Sequence, residues 1–161
     1  MKTYEFSVIA SGIDPTADDF EARFYDAGCD DATVSFQRGH TILDFSRASE
    51  SPEVAISSAL QAVRSAGATV DRVEPDPLVS LAEIAERTGL SRAAISQYAN
   101  GQRRSGFPAP AVKVTSSNPL WRWAGVARWF LGRGKLSGEA VLEAEAVERA
   151  NESLSGESRA A

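Results

Sequence analysis

With 161 residues and a 43% apolar share, the chain can bury one ordinary core or two small ones. No run of about 18 apolar residues is present to span a membrane, and the alternating start MKTYEFSVIASG lacks the solid apolar stretch of a signal peptide. The net charge of -5 gives no overall attraction to nucleic acid, while a single Cys29 and a single His40 exclude an intrachain disulfide framework and a Cys/His zinc site, and fit a reducing, cytoplasmic setting.

In chain order, Tyr4, Phe6 and Val8 alternate with Glu5 and Ser7 across residues 3–10, the period-two sign of a half-buried strand. Asp14-Pro15 opens a helix, Phe20 and Phe24 share one of its faces, and Gly28 stops it. Alternation returns over residues 31–37, Arg38-Gly39 makes a hairpin turn, and a third strand covers residues 40–46. Ser51-Pro52-Glu53 supplies a cap, a first-turn proline and an early acid for a second helix. Its apolar stripe is Ile56, Ala59, Leu60 and Val63, and Gly67 ends it before a last strand over residues 68–74. The order β-α-β-β-α-β predicts a ferredoxin-like domain over residues 1–74. Its two helices would cover one sheet face. The pattern Glu74-Pro75-Asp76-Pro77 favours extended chain, so residues 75–79 read as a linker.

The charge distribution separates the next segment from its flanks. Residues 1–79 carry 6 Lys/Arg against 14 Asp/Glu, a net of -8. Residues 80–135 carry 9 basic residues against Glu83 and Glu86, a net of +7, and residues 136–161 carry 2 against 6, a net of -4. Near physiological salt the Debye length is about 8 Å, so this local basic island governs attraction to phosphate.

Within the island, SLAEIAERTGLSRAAISQYANG meets the requirements of two short helices crossing at a tight turn. Leu81, Ile84 and Ala85 form the inner face of the first, Gly89 the turn, and Leu90 the plug between the helices. Ser91 caps the second helix, which Ala94, Ile95 and Tyr98 anchor inward. The spacing of Ala85, Gly89 and Ile95 resembles the helix-turn-helix of bacterial and phage repressors. The continuation, Phe107-Pro108-Ala109-Pro110 followed by a small wing over residues 111–121 and a helix reaching Trp129-Phe130, is similar to the winged helix-turn-helix of excisionase, AlpA-like and MerR-type regulators. The resemblance covers about 55 residues and does not reach the N-terminal segment. Ala124-Gly125 stands where that family tends to carry a capping Ser and an Asp, so the last helix is expected to start less firmly.

The resemblance implies that the second helix enters the major groove of double-stranded DNA. The outward residues Arg92, Ala93, Ser96, Gln97 and Asn100 are then the base readers. Arg92 matches guanine O6/N7, Gln97 adenine N6/N7, and Ala93 a thymine methyl. Ser91, Arg103, Arg104, Lys113 and Arg122 are assigned to phosphates. Trp121, Trp123, Trp129 and Phe130, with Phe107, Val112 and Val114, are read as core packing between wing and helix, in preference to stacking on bases. Cys29, beside Asp30-Asp31, lacks the positive surroundings of a reactive thiol.

The fold class expected is therefore α+β, with domains at 1–74 and 80–134 and an acidic helical tail over 135–161, its last residues disordered. In that tail Val141, Leu142, Ala144 and Val147 give a partial apolar stripe. The expected function is a sequence-specific transcriptional regulator, a repressor, acting as a homodimer in the cytoplasm on the nucleoid, because one winged module reads too few base pairs to select a site. The alternatives are an antitoxin-like or adaptor protein whose acidic N-terminal domain binds a partner protein or small ligand, and an excisionase-type architectural factor. No nucleophile–base constellation, metal cluster or phosphate loop is present, so neither enzyme chemistry nor a cofactor is expected.

Overall fold

The computed structural model describes residues 1–101 and 106–160, with side chains through Glu157. The chain is mixed α+β, with six helices and a four-stranded antiparallel sheet among the described residues. It divides into two compact units, residues 1–75 with 146–161, and residues 76–145. No helix is long and apolar enough to cross a membrane among the described residues.

In the first unit, β1 (Lys2–Ser11), β2 (Ala32–Gln37), β3 (His40–Ser49) and β4 (Thr69–Glu74) lie in the order β2-β3-β1-β4. Tyr4, Phe6, Val8 and Ala10 of β1 point to one face, opposite Arg47, Phe45, Leu43 and Thr41 of β3. Over that face lie α1 (Phe20–Asp26) and α2 (Pro52–Ser65), contributing Phe20, Phe24, Ile56, Ala59, Leu60 and Val63 to a single core. Ser51 caps α2 by accepting from the Val54 amide, as its Ser-Pro-Glu start requires. The β2–β3 turn puts Arg38 and Gly39 both at positive φ, 52° and 83°, the geometry that lets a two-residue turn match strand twist.

Several boundaries differ from expectation. The first helix begins at Phe20 rather than Asp14, because the Asp14 carboxylate accepts from both the backbone N–H (2.9 Å) and hydroxyl (2.7 Å) of Thr16 and closes a separate turn. Those two bonds also hold the Asp14 carboxyl below the usual range. The third strand runs to Ser49, three residues beyond the apolar alternation, since Arg47 takes the inward slot opposite Tyr4. Its guanidinium donates to both Asp31 carboxylate oxygens (2.8 and 2.9 Å), to Ser58 Oγ (3.1 Å) and to the Gly28 carbonyl (2.5 Å), and lies over the Phe45 ring.

The last helix, α6 (Gly138–Ala160), extends through the segment expected to be disordered. Its Ala146, Val147 and Leu154 enter the first core, and buried Asn151 bonds to the backbone of β4. The expected apolar stripe is amended at Leu142, which is exposed, while Ala146 and Leu154 are buried.

The second unit contains β5 (Leu78–Val79), α3 (Leu81–Thr88), α4 (Arg92–Ala99), β6 (Trp121–Arg122), α5 (Trp123–Leu131) and the start of α6. β5 pairs antiparallel with β6, Leu78 opposite Arg122 and Val79 opposite Trp121. The expected linker 75–79 is therefore corrected. Its last two residues are a strand of the second unit, and the Pro77 carbonyl accepts from the Trp123 amide at 2.8 Å. The core here is Val79, Ile84, Ile95, Tyr98, Trp121, Val126, Trp129 and Phe130. A smaller cluster joins Ala124 and Ala127 of α5 to Val141 and Ala144 of α6.

Candidate nucleic-acid interface

The helix pair α3–α4 is built from strong local signals. Ser80 accepts from the Glu83 amide while the Glu83 carboxylate accepts from the Ser80 amide, a reciprocal cap that satisfies two otherwise orphan donors. α3 ends at Gly89, left-handed at φ 72°, whose amide donates to the Ala85 carbonyl at 2.9 Å. Thr88 Oγ1 donates back to the Ile84 carbonyl at 2.8 Å and tightens the same turn. Ser91 then starts α4 by accepting from the Ala94 amide at 3.1 Å.

Ile84 and Ile95 are fully buried where the two helices face the unit's core, and Leu81, Ala85 and Leu90 pack partly buried against it. Ala94 and Tyr98 are also buried, so α4 is held by one face. Tyr98 lies in an aromatic cluster with Phe107, Trp129 and Phe130, ring centroids 5.1–6.3 Å apart. Trp121 adds an edge contact to Phe107 and donates its Nε1–H to the Pro108 carbonyl at 2.9 Å. The Phe-Pro-Ala-Pro segment thus packs beneath α4. Val112 and Val114 do not join it: contrary to expectation both are exposed on the following hairpin.

The opposite face of α4 is open. Arg92, Ala93, Gln97 and Asn100 are exposed and Ser96 is half-buried, so all five residues expected to read bases lie on one continuous outer face. Among the residues expected to bind phosphate, Ser91, Lys113 and Arg122 are exposed, while Arg103 and Arg104 lie outside the described residues. Lys113 sits on a hairpin closed by the Val112–Leu120 bridge, at positive φ (54°), with its carbonyl accepting from Ser116. The expected wing 111–121 is thus short: one bridge, then Trp121 leaves for β6.

α5 carries no side-chain cap, but its N-cap is Arg122, so Ala124-Gly125, expected at the cap, lie within its first turn. The Pro77 carbonyl meets the Trp123 amide there. Two cations of the basic island serve the fold instead of solvent. The Arg87 guanidinium lies over the Trp123 ring (5.2 Å) and donates to the Asp76 carbonyl at 3.2 Å; burial lowers its pKa, against the opposing pull of Glu83, Asp76 and Glu86. The Arg133 guanidinium lies 3.9 Å from the Trp129 ring centroid. The Arg87 role does not follow from spacing, because Trp123 is distant in sequence and is brought beside it by the β5–β6 pair; Arg133 lies four residues after Trp129, the spacing that shares a helix face. Among the described residues no group of His, Cys, Asp or Glu is placed to hold a metal ion.

No family model, curated protein or solved structure matches the chain. The site offers a short helix with a polar, uncharged-to-basic outer face, set on a rigid aromatic base, with exposed cations on the adjoining hairpin and strand.

Proposed function

We propose that the second unit is a winged helix-turn-helix that binds double-stranded DNA, and that the protein is a sequence-specific regulator of transcription. The observation that carries this reading is the one-sided burial of α4. Ala94, Ile95 and Tyr98 fix the helix, and Arg92, Ala93, Ser96, Gln97 and Asn100 form its whole free face. A helix presented in this way fits the major groove, where Arg92 and Gln97 supply bidentate contacts to guanine and adenine. Lys113 and Arg122 supply phosphate contacts that hold the register. The +7 charge of residues 80–135 supplies the salt-sensitive attraction.

In this reading the first unit is a ferredoxin-like domain. The sheet order β2-β3-β1-β4 and the two helices on one face support that assignment. Its net acidic charge keeps it off DNA and suits it to dimerisation or to a protein or ligand contact. Repression is the outcome of a dimer occupying a near-palindromic site. The test is a mobility shift with fragments of the source genome, repeated across salt concentrations. A discrete bound fragment with a steep loss of affinity at higher salt supports the reading. Binding indifferent to salt, or none to any duplex, removes it.

A further inference from the structure

The two edges of the four-stranded sheet are protected to different degrees. On β4, Asn151 occupies backbone groups of Val73, and Asp71, Arg72 and Glu74 supply charge along the strand. On β2 the sequence ATVSFQ holds neither a charge nor a proline, and its register with β3 is unbroken. No other described strand pairs with it. Successive residues of a strand turn their N–H and C=O to opposite sides, so half of β2 turns them away from β3, where the Ala32 N–H already donates to the Cys29 carbonyl at 3.1 Å. Monomeric proteins blunt such an edge with Lys, Pro or a bulge; β2 has none of these.

A hollow of about 470 Å³ opens beside the same edge, lined by Ala22 and Tyr25 of α1, by Cys29, and by Ala32 and Val34 of β2. Tyr25 is 63% exposed and Phe36, on the same strand face as Val34, is 47% exposed. A large unburied ring thus stands at one end of the strand and a hollow beside a small residue at the other. Charge is arranged the same way. The exposed Asp30 precedes β2, and the exposed Arg38 follows it.

We propose that β2 pairs antiparallel with β2 of a second copy, with the two-fold axis at Val34. That register sets Ala32 opposite Phe36 of the partner subunit, so the ring enters the hollow. It sets Asp30 opposite Arg38 of the partner subunit, and each pair occurs twice by symmetry. A shift by one residue would put the apolar face of one strand against the polar face of the other, which disfavours it. The uncharged middle of β2 places no like charges opposite one another. This dimer stands on the first unit alone and is independent of the DNA reading.

The test is sedimentation equilibrium of the full chain without DNA. The unaltered protein is expected to be a dimer. D30R should weaken dimerisation about tenfold or more, and D30R/R38D, which restores the pair with signs reversed, should recover it. Asp at position 38 tolerates the left-handed backbone there, so the swap leaves the turn intact. V34K, which opposes two ammonium groups at the axis, should sediment as a monomer while keeping a cooperative thermal transition. A monomeric unaltered protein overturns the proposal. So does a D30R protein that dimerises as before, a charge swap that fails to recover dimerisation, or a folded V34K protein that remains dimeric. Each result leaves DNA binding to be judged separately.

Discussion

Asn151 makes with Val73 the pair of hydrogen bonds that a neighbouring strand would make. Its Oδ1 accepts from the Val73 amide and its Nδ2 donates to the Val73 carbonyl, both at 2.9 Å, and Nδ2 also reaches the Val147 carbonyl at 3.2 Å. A helix side chain thereby closes one edge of the sheet. N151A strands a buried donor and acceptor at once, and is expected to destabilise the first unit by about 2–4 kcal/mol in urea titration. N151D replaces the amide donor by an acceptor against the same carbonyl and should do no better. A loss below about 0.5 kcal/mol for N151A would mean water satisfies Val73 equally well.

Arg47 is a half-buried polar anchor of the same unit. R47M keeps much of the packing over Phe45 but removes donors to Asp31, Ser58 and Gly28. The expected cost is about 3 kcal/mol, because Asp31 loses its charge partner in a partly buried place. A variant within about 0.5 kcal/mol of the unaltered protein would show the network to be dispensable.

Gly89 offers a cleaner test of backbone strain. No atom lies within 4 Å of the place where a Cβ would sit, so G89A introduces no clash. Its whole effect is the left-handed φ of 72°, worth about 1–2 kcal/mol. Thermal unfolding should register that loss, while G89N, which tolerates this conformation, should recover most of it.

Burial pushes the Cys29 thiol up to about 11, with Asp31 and Asp30 adding to the rise and Arg47 opposing it. The native protein should resist alkylation by iodoacetamide at pH 8 and react once unfolded. Because the folded thiol holds its proton more tightly than the unfolded one, this group stabilises the fold below about pH 9. Its contribution is lost as pH rises from about 9 to about 11. C29A should flatten that part of the stability–pH curve. Rapid native alkylation at pH 8 would contradict the buried placement.

What the sequence made legible depended on whether a signal was local. The α3–α4 pair follows from Ser80, Glu83, Gly89 and Ser91, each acting within a few residues, and its outer face follows from helical period. The core strands follow from alternation. The start of α1 was hidden by Asp14, which satisfies both a helix cap and an independent turn. The length of β3 was hidden by Arg47, whose inward place depends on Asp31 and Ser58. The strand at Leu78–Val79 and the docking of α6 depend on partners more than 40 residues away, Trp121–Arg122 and Val73. Distant pairing leaves no periodic trace. Arg87 shows the same within the basic island, where charge alone does not separate a phosphate contact from a contact with a distant tryptophan.

The salt dependence of binding bears on which cations face DNA. If Arg103, Arg104, Lys113 and Arg122 each meet a phosphate, as the proposed function requires, the four per module predict a log–log slope of about -3.6 for one module and about twice that for a dimer. R122A should reduce the slope by about 0.9 per module, whereas R87A should lower stability and leave the slope unchanged. A slope near zero would remove the phosphate assignment.

The central claim is that α4 reads base sequence, and the most direct measurement compares two proteins on two duplexes. A site selected from a random duplex library and a scrambled control are titrated at one salt concentration by fluorescence anisotropy. The unaltered protein should prefer the selected site by about 10³-fold or more. R92A/Q97A should lose nearly all of that preference and keep the weak, salt-sensitive affinity for both duplexes. A folded R92A/Q97A protein with the preference of the unaltered one would contradict the account.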